Sequence, residues 1–280
     1  MKADVGLGAG SLGNKAKGQG EQLAHAKTMG WLARAGLVAR GVVYLIIGVL
    51  AFELAIGEGG KATNQTGALK TISDQSFGEL MLILLAIGLA GYSLWRLLRA
   101  AIGHGAEQQD SGSDRIAALA SGIAYGILAI TAVKILTESG AGSGTPKQPT
   151  GGVLDWTGGT VIVGIAGAIM IGVGIYQAYK GLAKKFLEDA NTGEMSEGVK
   201  KAYTALGVFG HVARAVIFAL IGYGLVKAAV DYNPKEAIGL DGALRELADA
   251  SYGPVLLGLV ALGLAGFALY SIVDARYRKV

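Results

Sequence analysis

The chain has no cysteine in 280 residues and only four prolines. The first absence excludes disulfides and thiolate metal sites. The second, beside 46 glycines, excludes Pro-rich disorder and a collagen-like repeat, and suits helices whose backbones approach closely. Charge is also scarce, at 16% of residues against 52% hydrophobic. With a mean hydropathy of +0.46, a water-soluble domain of this size would be short of polar surface. The three histidines, His25, His104 and His211, fall on a tail, a loop and a helix start without ligand spacing, so neither a haem nor a metal site is expected and no cofactor is assigned.

What the sequence does hold is self-similarity. It repeats three times with a period of roughly 80 to 90 residues, and each copy contains two apolar stretches. They run from Gly36 to Ile56, Phe77 to Leu98, Ile116 to Leu136, Gly158 to Tyr179, Val208 to Val230 and Tyr252 to Ile272. Each is near the ~20 residues that about 30 Å of hydrocarbon requires of a helix. The fold class that follows is all-α: a polytopic membrane protein with six transmembrane helices in three like-oriented two-helix repeats. The expected division is 1–28 as a disordered basic cytoplasmic tail, then repeats over 29–103, 104–190 and 191–280.

The tail is rich in Gly, Lys and Gln and lacks the apolar run of a signal peptide. It contains Gly-x-Gly-x-x-Gly from Gly8 to Gly13, but no strand precedes it, so the match is taken as chance. The segment from Gly59 to Thr63 fails the phosphate-loop pattern because Ala62 follows Lys61.

Orientation follows from Lys and Arg. Sixteen fall before the first stretch, between the second and third, between the fourth and fifth, or after the sixth; seven fall in the alternate loops. Both termini are therefore expected in the cytoplasm. Trp31 and Trp95 should then anchor spans at the inner interface and Trp156 at the outer one.

The copies align by residue type. Ala39–Gly48 corresponds to Ala213–Gly222 and more loosely to Ala120–Ala129; the segment from Gly67 to Trp95 corresponds to Gly242–Tyr270. The middle copy keeps Gly151, Gly172 and Tyr176 but replaces an amphipathic segment with a Gly-rich, Pro-containing loop from Ser139 to Gly152. Like-oriented copies can be related only by rotation about the membrane normal, so a pseudo-threefold ring is expected. In copies one and three, Leu69 with Ile72 and Leu244 with Leu247 mark amphipathic turns expected to lie flat at the outer headgroups.

The run from Ala39 to Gly57, the recurring Gly-Ala-Leu before the even helices, and the run from Gly88 to Leu98 resemble the bacterial membrane-protein family catalogued as domain of unknown function 1206. The similarity spans approximately Met29 to Tyr277. It implies three tandem two-helix units in a bacterial inner membrane, and supplies no activity, substrate or cofactor.

The candidate sites are intramembrane charges. Arg40 and Arg214 hold equivalent positions near the inner ends of the first and fifth stretches. The simpler reading is that each snorkels to headgroups; the sharper is a basic pair that holds an anionic lipid headgroup or solute, with Asp274 as counter-ion. Glu53, Lys134 and Lys227 share one aligned position toward the outer ends of the odd helices, and either snorkel singly or meet as an ion-pair cluster. Tyr44, Tyr125 and Phe218 at one aligned site, and Tyr92, Tyr176 and Phe267 at another, are expected to pack, with hydroxyls capping carbonyls. Gly41, Gly48, Gly88, Gly91, Gly164, Gly172, Gly263 and Gly266 are expected to form small faces for tight helix crossings.

No Asp, Glu or His is expected mid-span, so no reaction is assigned and the protein is read as a non-enzyme. Three two-helix units also describe the mitochondrial carriers in layout, but their Pro-x-(Asp/Glu)-x-x-(Lys/Arg) signature is absent. The expected function is a structural, lipid-binding or accessory component of the bacterial cytoplasmic membrane; the alternative is a small-solute or ion transporter formed by the bundle. Anionic membrane lipids, and a larger membrane complex or a homo-oligomer, are the expected partners; nucleic acid is not.

Overall fold

The computed structural model describes residues 27–102, 112–137, 153–154 and 156–279. The N-terminal tail with His25, the loop that holds His104, and Ser139–Gly152 lie outside the described residues. Within the described residues the regular structure is helical: α1 (Lys27–Ile56), α2 (Gln65–Ser73), α3 (Gly78–Ile102), α4 (Gly112–Thr137), α5 (Gly159–Leu182), α6 (Glu197–Val230), α7 (Leu240–Asp249) and α8 (Gly253–Tyr277). Six of these, all but α2 and α7, are long and apolar enough to cross a membrane.

Local sequence accounts for the helix starts. Asn64 caps α2 by accepting from the Gly67 N–H at 3.0 Å, and Pro254 sits in the first turn of α8, where its missing N–H costs nothing. Ser196 caps α6 and Glu197 supplies acid to its first turn. These polar signals precede the apolar run, so α6 begins well before the expected Val208. Its 34 residues give about 50 Å at 1.5 Å per residue, more than about 30 Å of hydrocarbon requires. His211, expected at a helix start, is consequently inside a helix, buried, and stacked on Phe186 with centroids 5.1 Å apart.

The spanning helices pack in the spatial order α4, α3, α1, α8, α6, α5, each on the next. A closed ring of three hairpins also requires α4 to pack on α5, and these two share no interface of comparable extent among the described residues. The expected pseudo-threefold closure is therefore not confirmed. In repeats one and three a short helix touches both spanning helices of its own hairpin: α2 lies on α1 and α3, and α7 on α6 and α8. The middle repeat has no equivalent segment in its sequence, and its two helices are the most exposed, with 22% of each apolar window buried against about 40–56% for the others.

The short helices turn their apolar faces into the protein. Ala68, Leu69 and Ile72 of α2 and Ala243, Leu244 and Leu247 of α7 are buried in the same core as Ile47, Ala51, Leu257 and Ala261. Protein offers these side chains dispersion contacts at interior density, which the boundary layer of a bilayer cannot match. Asn64 Nδ2 donates to Asp241 Oδ1 at 3.3 Å, joining the start of α2 to the first turn of α7.

Close approach explains most of the glycines. A Cβ on Gly167 would lie 2.8 Å from the Gly222 carbonyl oxygen, and one on Gly222 would lie 2.7 Å from that of Gly167, so α5 and α6 meet backbone to backbone. Gly48 sits equally close to Ala265 and Ala261 on α8. Gly172 departs from expectation: nothing lies within 4 Å of its would-be Cβ, so it forms no crossing among the described residues.

Candidate functional site

Asp274, on the last turns of α8, has no solvent exposure, and this end of the bundle is organised around it. Its Oδ1 accepts a 2.8 Å hydrogen bond from the Tyr203 hydroxyl on α6. Its Oδ2 lies 3.3 Å from Arg278 Nη1, one turn further along the chain, and 3.9 Å from Arg40 Nη2 on α1. Arg40 also donates from Nε to Ser271 Oγ at 3.2 Å and reaches the Tyr92 hydroxyl at 3.5 Å. Tyr92 accepts in addition from Arg96 Nε at 3.2 Å. A buried charge is tolerated only when it is paired and hydrogen-bonded, and Asp274 meets that condition through Tyr203 of α6, Arg40 of α1 and Arg278.

The network continues outside the spans. Arg278 Nη1 lies 3.4 Å from Asp189 Oδ2, and Lys180 Nζ donates to the same oxygen at 2.8 Å. Burial alone would push the Asp189 carboxyl up, but Arg278 and Lys180 outweigh it and hold it well below the usual carboxylate range. Arg278 is likewise held in its charged form: burial opposes it, and Asp274 and Asp189 prevail. Backbone bonds seal the junction, with Asn191 N–H donating to the Tyr277 carbonyl at 2.8 Å and Lys279 N–H to that of Asp189 at 3.1 Å.

Arg40 therefore does not snorkel; it is 9% exposed, and its guanidinium lies 5.0 Å from the Phe267 ring. Arg214 approaches the same ring at 4.4 Å and stands 5.1 Å from Phe218 and 5.5 Å from Tyr44. Its Nε is buried without a hydrogen-bond partner among the described residues. The two arginines thus converge on Phe267, with Asp274 beside Arg40 as counter-ion, rather than forming an open basic pair. The expectation that tyrosine hydroxyls cap carbonyls gives way at Tyr92, whose oxygen serves two guanidiniums, since charged donors make the stronger bonds. Trp95 is buried beside Tyr92 at 5.4 Å with Arg99 over its ring at 4.5 Å, so it is a packing residue and not an interfacial anchor; Trp31 and Trp156 are exposed.

The outer trio is not assembled. Among the described residues no ion pair joins Glu53 to Lys134 or Lys227. Lys227 instead meets Glu236 at 2.8 Å, in the turn nine residues further on. Lys134 is exposed on α4, the helix that the open side of the ring leaves outermost.

A second feature lies on the outside of α6, where α5 ends. A groove of about 590 Å³ is lined by Lys184, Lys200 and Lys201 toward the start of α6 and, further along that helix, by an apolar floor of Val208, Phe209 and Val212. Lys184 follows α5 with φ at 56°, a left-handed conformation that costs an ordinary residue roughly 1–2 kcal/mol and turns the chain sharply toward Phe186. Sequence reading missed this groove because its lysines look like ordinary loop charge. It also missed the roles of Tyr203, Asp189 and Arg278, which are far apart along the chain and meet only through the helix order.

Against known proteins, the family model described as Domain of Unknown Function (DUF1206) matches three times, over residues 35–114, 116–184 and 209–278. The chain is similar to uncharacterized protein YxxB of Bacillus subtilis (strain 168), 34% identical over 260 residues that cover 91% of this chain and 94% of that protein. No solved structure matches. Six apolar helices in three tandem matches, over most of the chain's length, place this protein in the DUF1206 family of multi-pass, membrane-type helical proteins.

Proposed function

We propose that this protein is a structural, lipid-associated component of the bacterial cytoplasmic membrane, with both termini inside the cell, and not a conduit or an enzyme. One observation carries the reading. Between the Asp274 network at the inner end and the short helices α2 and α7 at the other, the centre of the bundle is filled by Tyr44, Ile47, Ala51, Leu69, Leu244 and Leu264, none more than 8% exposed. Ions and polar solutes need acidic groups or water at depth, and a close-packed apolar core supplies neither. Asp274, Arg40 and Arg278 pair in a network that, through Tyr92 and Tyr203, ties α1, α3, α6 and α8 together, which favours rigidity over gating. The apolar flanks of α4 and α5 suit contact with lipid, with a larger membrane complex or with a second copy.

Reconstitution tests this. Vesicles containing the purified full chain should pass protons, potassium and small anions no faster than protein-free vesicles. Anionic lipids should be retained through purification from native membrane in mild detergent. A protein-dependent flux that disappears in Asp274→Asn would overturn the reading in favour of transport.

A further inference from the structure

We infer that the groove between Lys184 and the start of α6 holds an anionic phospholipid of the inner leaflet, its phosphate among the three lysines and an acyl chain along Val208, Phe209 and Val212. The inference rests on the lipid-associated reading above and gives it a site.

The first argument is level. Gly181, at the end of α5, lies against His211 and Val208 of α6; its would-be Cβ falls 2.9 Å from His211 Cβ and 3.2 Å from the Val208 carbonyl oxygen. The residues of α6 before Val208 therefore extend past the end of α5, while those after it run alongside an apolar spanning helix. The groove straddles that boundary. Its lysines stand where the polar segment begins, and its floor descends into the part of the helix that hydrocarbon surrounds. Phe209, 41% exposed, presents its ring on this floor. An ammonium cluster above an apolar channel complements a molecule with an anionic head and a hydrocarbon tail, and a free anion or a soluble acidic protein would leave the floor unused.

The second argument is charge. Nearby lysines have their own partners: Lys180 with Asp189 and Lys185 with Glu188, each at 2.8 Å. Among the described residues Lys184, Lys200 and Lys201 are in no such pair. The one carboxylate of the lining, Glu197, leaves the site with two net positive charges. The first turn of α6 adds the positive end of its dipole, and the Thr204 hydroxyl, also in the lining, donates to the Lys200 carbonyl at 2.7 Å, which leaves its oxygen lone pairs for a donor and not for the phosphate. Recognition thus falls to the lysines. The lysine excess on this side of the spans sets the leaflet.

The test uses tryptophan quenching in bilayers. Phe209→Trp in the full chain, with the signal of the native tryptophans subtracted, is reconstituted into vesicles of mixed phosphatidylglycerol and phosphatidylcholine in which one or the other lipid is brominated. Brominated phosphatidylglycerol should quench Trp at 209 more than its share of the bilayer predicts. The preference should fall by roughly 5-fold for each of Lys184→Gln, Lys200→Gln and Lys201→Gln, while Lys235→Gln, a lysine outside the groove, leaves it intact. Thermal stability checks that the glutamine variants remain folded. Equal quenching by the two lipids, or a preference unchanged in the triple variant, overturns the inference and hands the groove to a protein partner or a second copy. The two ideas fail separately, since loss of the preference with no flux refutes the groove alone, whereas a flux refutes the structural reading.

Discussion

The Tyr203 hydroxyl donates a 2.8 Å hydrogen bond to Oδ1 of Asp274, a carboxylate with no solvent exposure, across 71 residues of chain. The other oxygen of that carboxylate faces Arg278 and Arg40. Removing one member of a buried charge network leaves the rest uncompensated, at a cost of about 3–5 kcal/mol, whereas losing one hydrogen bond to a charged group costs about 1.5–3 kcal/mol. Asp274→Asn should therefore lower the thermal midpoint in detergent more than Tyr203→Phe. Equal, small effects of the two would mean that the carboxylate is not the centre of this network.

Asp189 makes the same junction sensitive to acid. Its carboxyl is held below the usual range by Arg278 and Lys180, so the folded state binds its proton more weakly than the unfolded one. The stabilisation is complete above the ordinary aspartate value of about 4 and is lost as pH falls toward the lower folded value. Between neutral pH and roughly pH 3, the midpoint of the natural protein should drop more steeply than that of Asp189→Asn, which is less stable at neutral pH and flatter below it. Parallel curves would remove Asp189 from the account.

Span number and helix type were legible because hydrocarbon thickness imposes a length that apolar runs display directly. The counter-ion of Arg40 was legible too, since Asp274 is the acid in the last turns of α8. What the residues did not disclose depends on helix order. That α4 shares no extended interface with α5 among the described residues is a property of the assembled bundle, and it removes the geometry on which a meeting of Glu53, Lys134 and Lys227 relied. The true start of α6 was hidden because its cap and first turns are polar, and hydropathy registers only the part within lipid. Tyr203 lies in that hidden part, so its bond to Asp274 had no visible signal.

The glycines give a contrast within one helix. Gly167 and Gly222 meet across α5 and α6 with space for no side chain, while Gly172, also on α5, has open surroundings. Gly222→Leu should force the helices apart and cost about 1–3 kcal/mol or more, as overpacking does. Gly172→Ala should be neutral or stabilise by up to ~1 kcal/mol through helix propensity. Thermal unfolding in detergent reads both, and destabilisation by Gly172→Ala would show that its face is covered in the membrane.

Because the chain contains no cysteine, a single introduced thiol reports its own side of the membrane. Lys201 and Lys235 are both exposed, one in the first turns of α6 and the other beyond the opposite end of that helix. The excess of Lys and Arg on the Lys201 side predicts that it faces the cytoplasm. In intact cells a membrane-impermeant maleimide should label Lys235→Cys at once and Lys201→Cys only after permeabilisation. Labelling in the reverse order would invert the protein, move the lysine groove to the outer leaflet and remove the electrostatic reason for an inner-leaflet lipid there; labelling of both in intact cells would mean that α6 does not cross the bilayer.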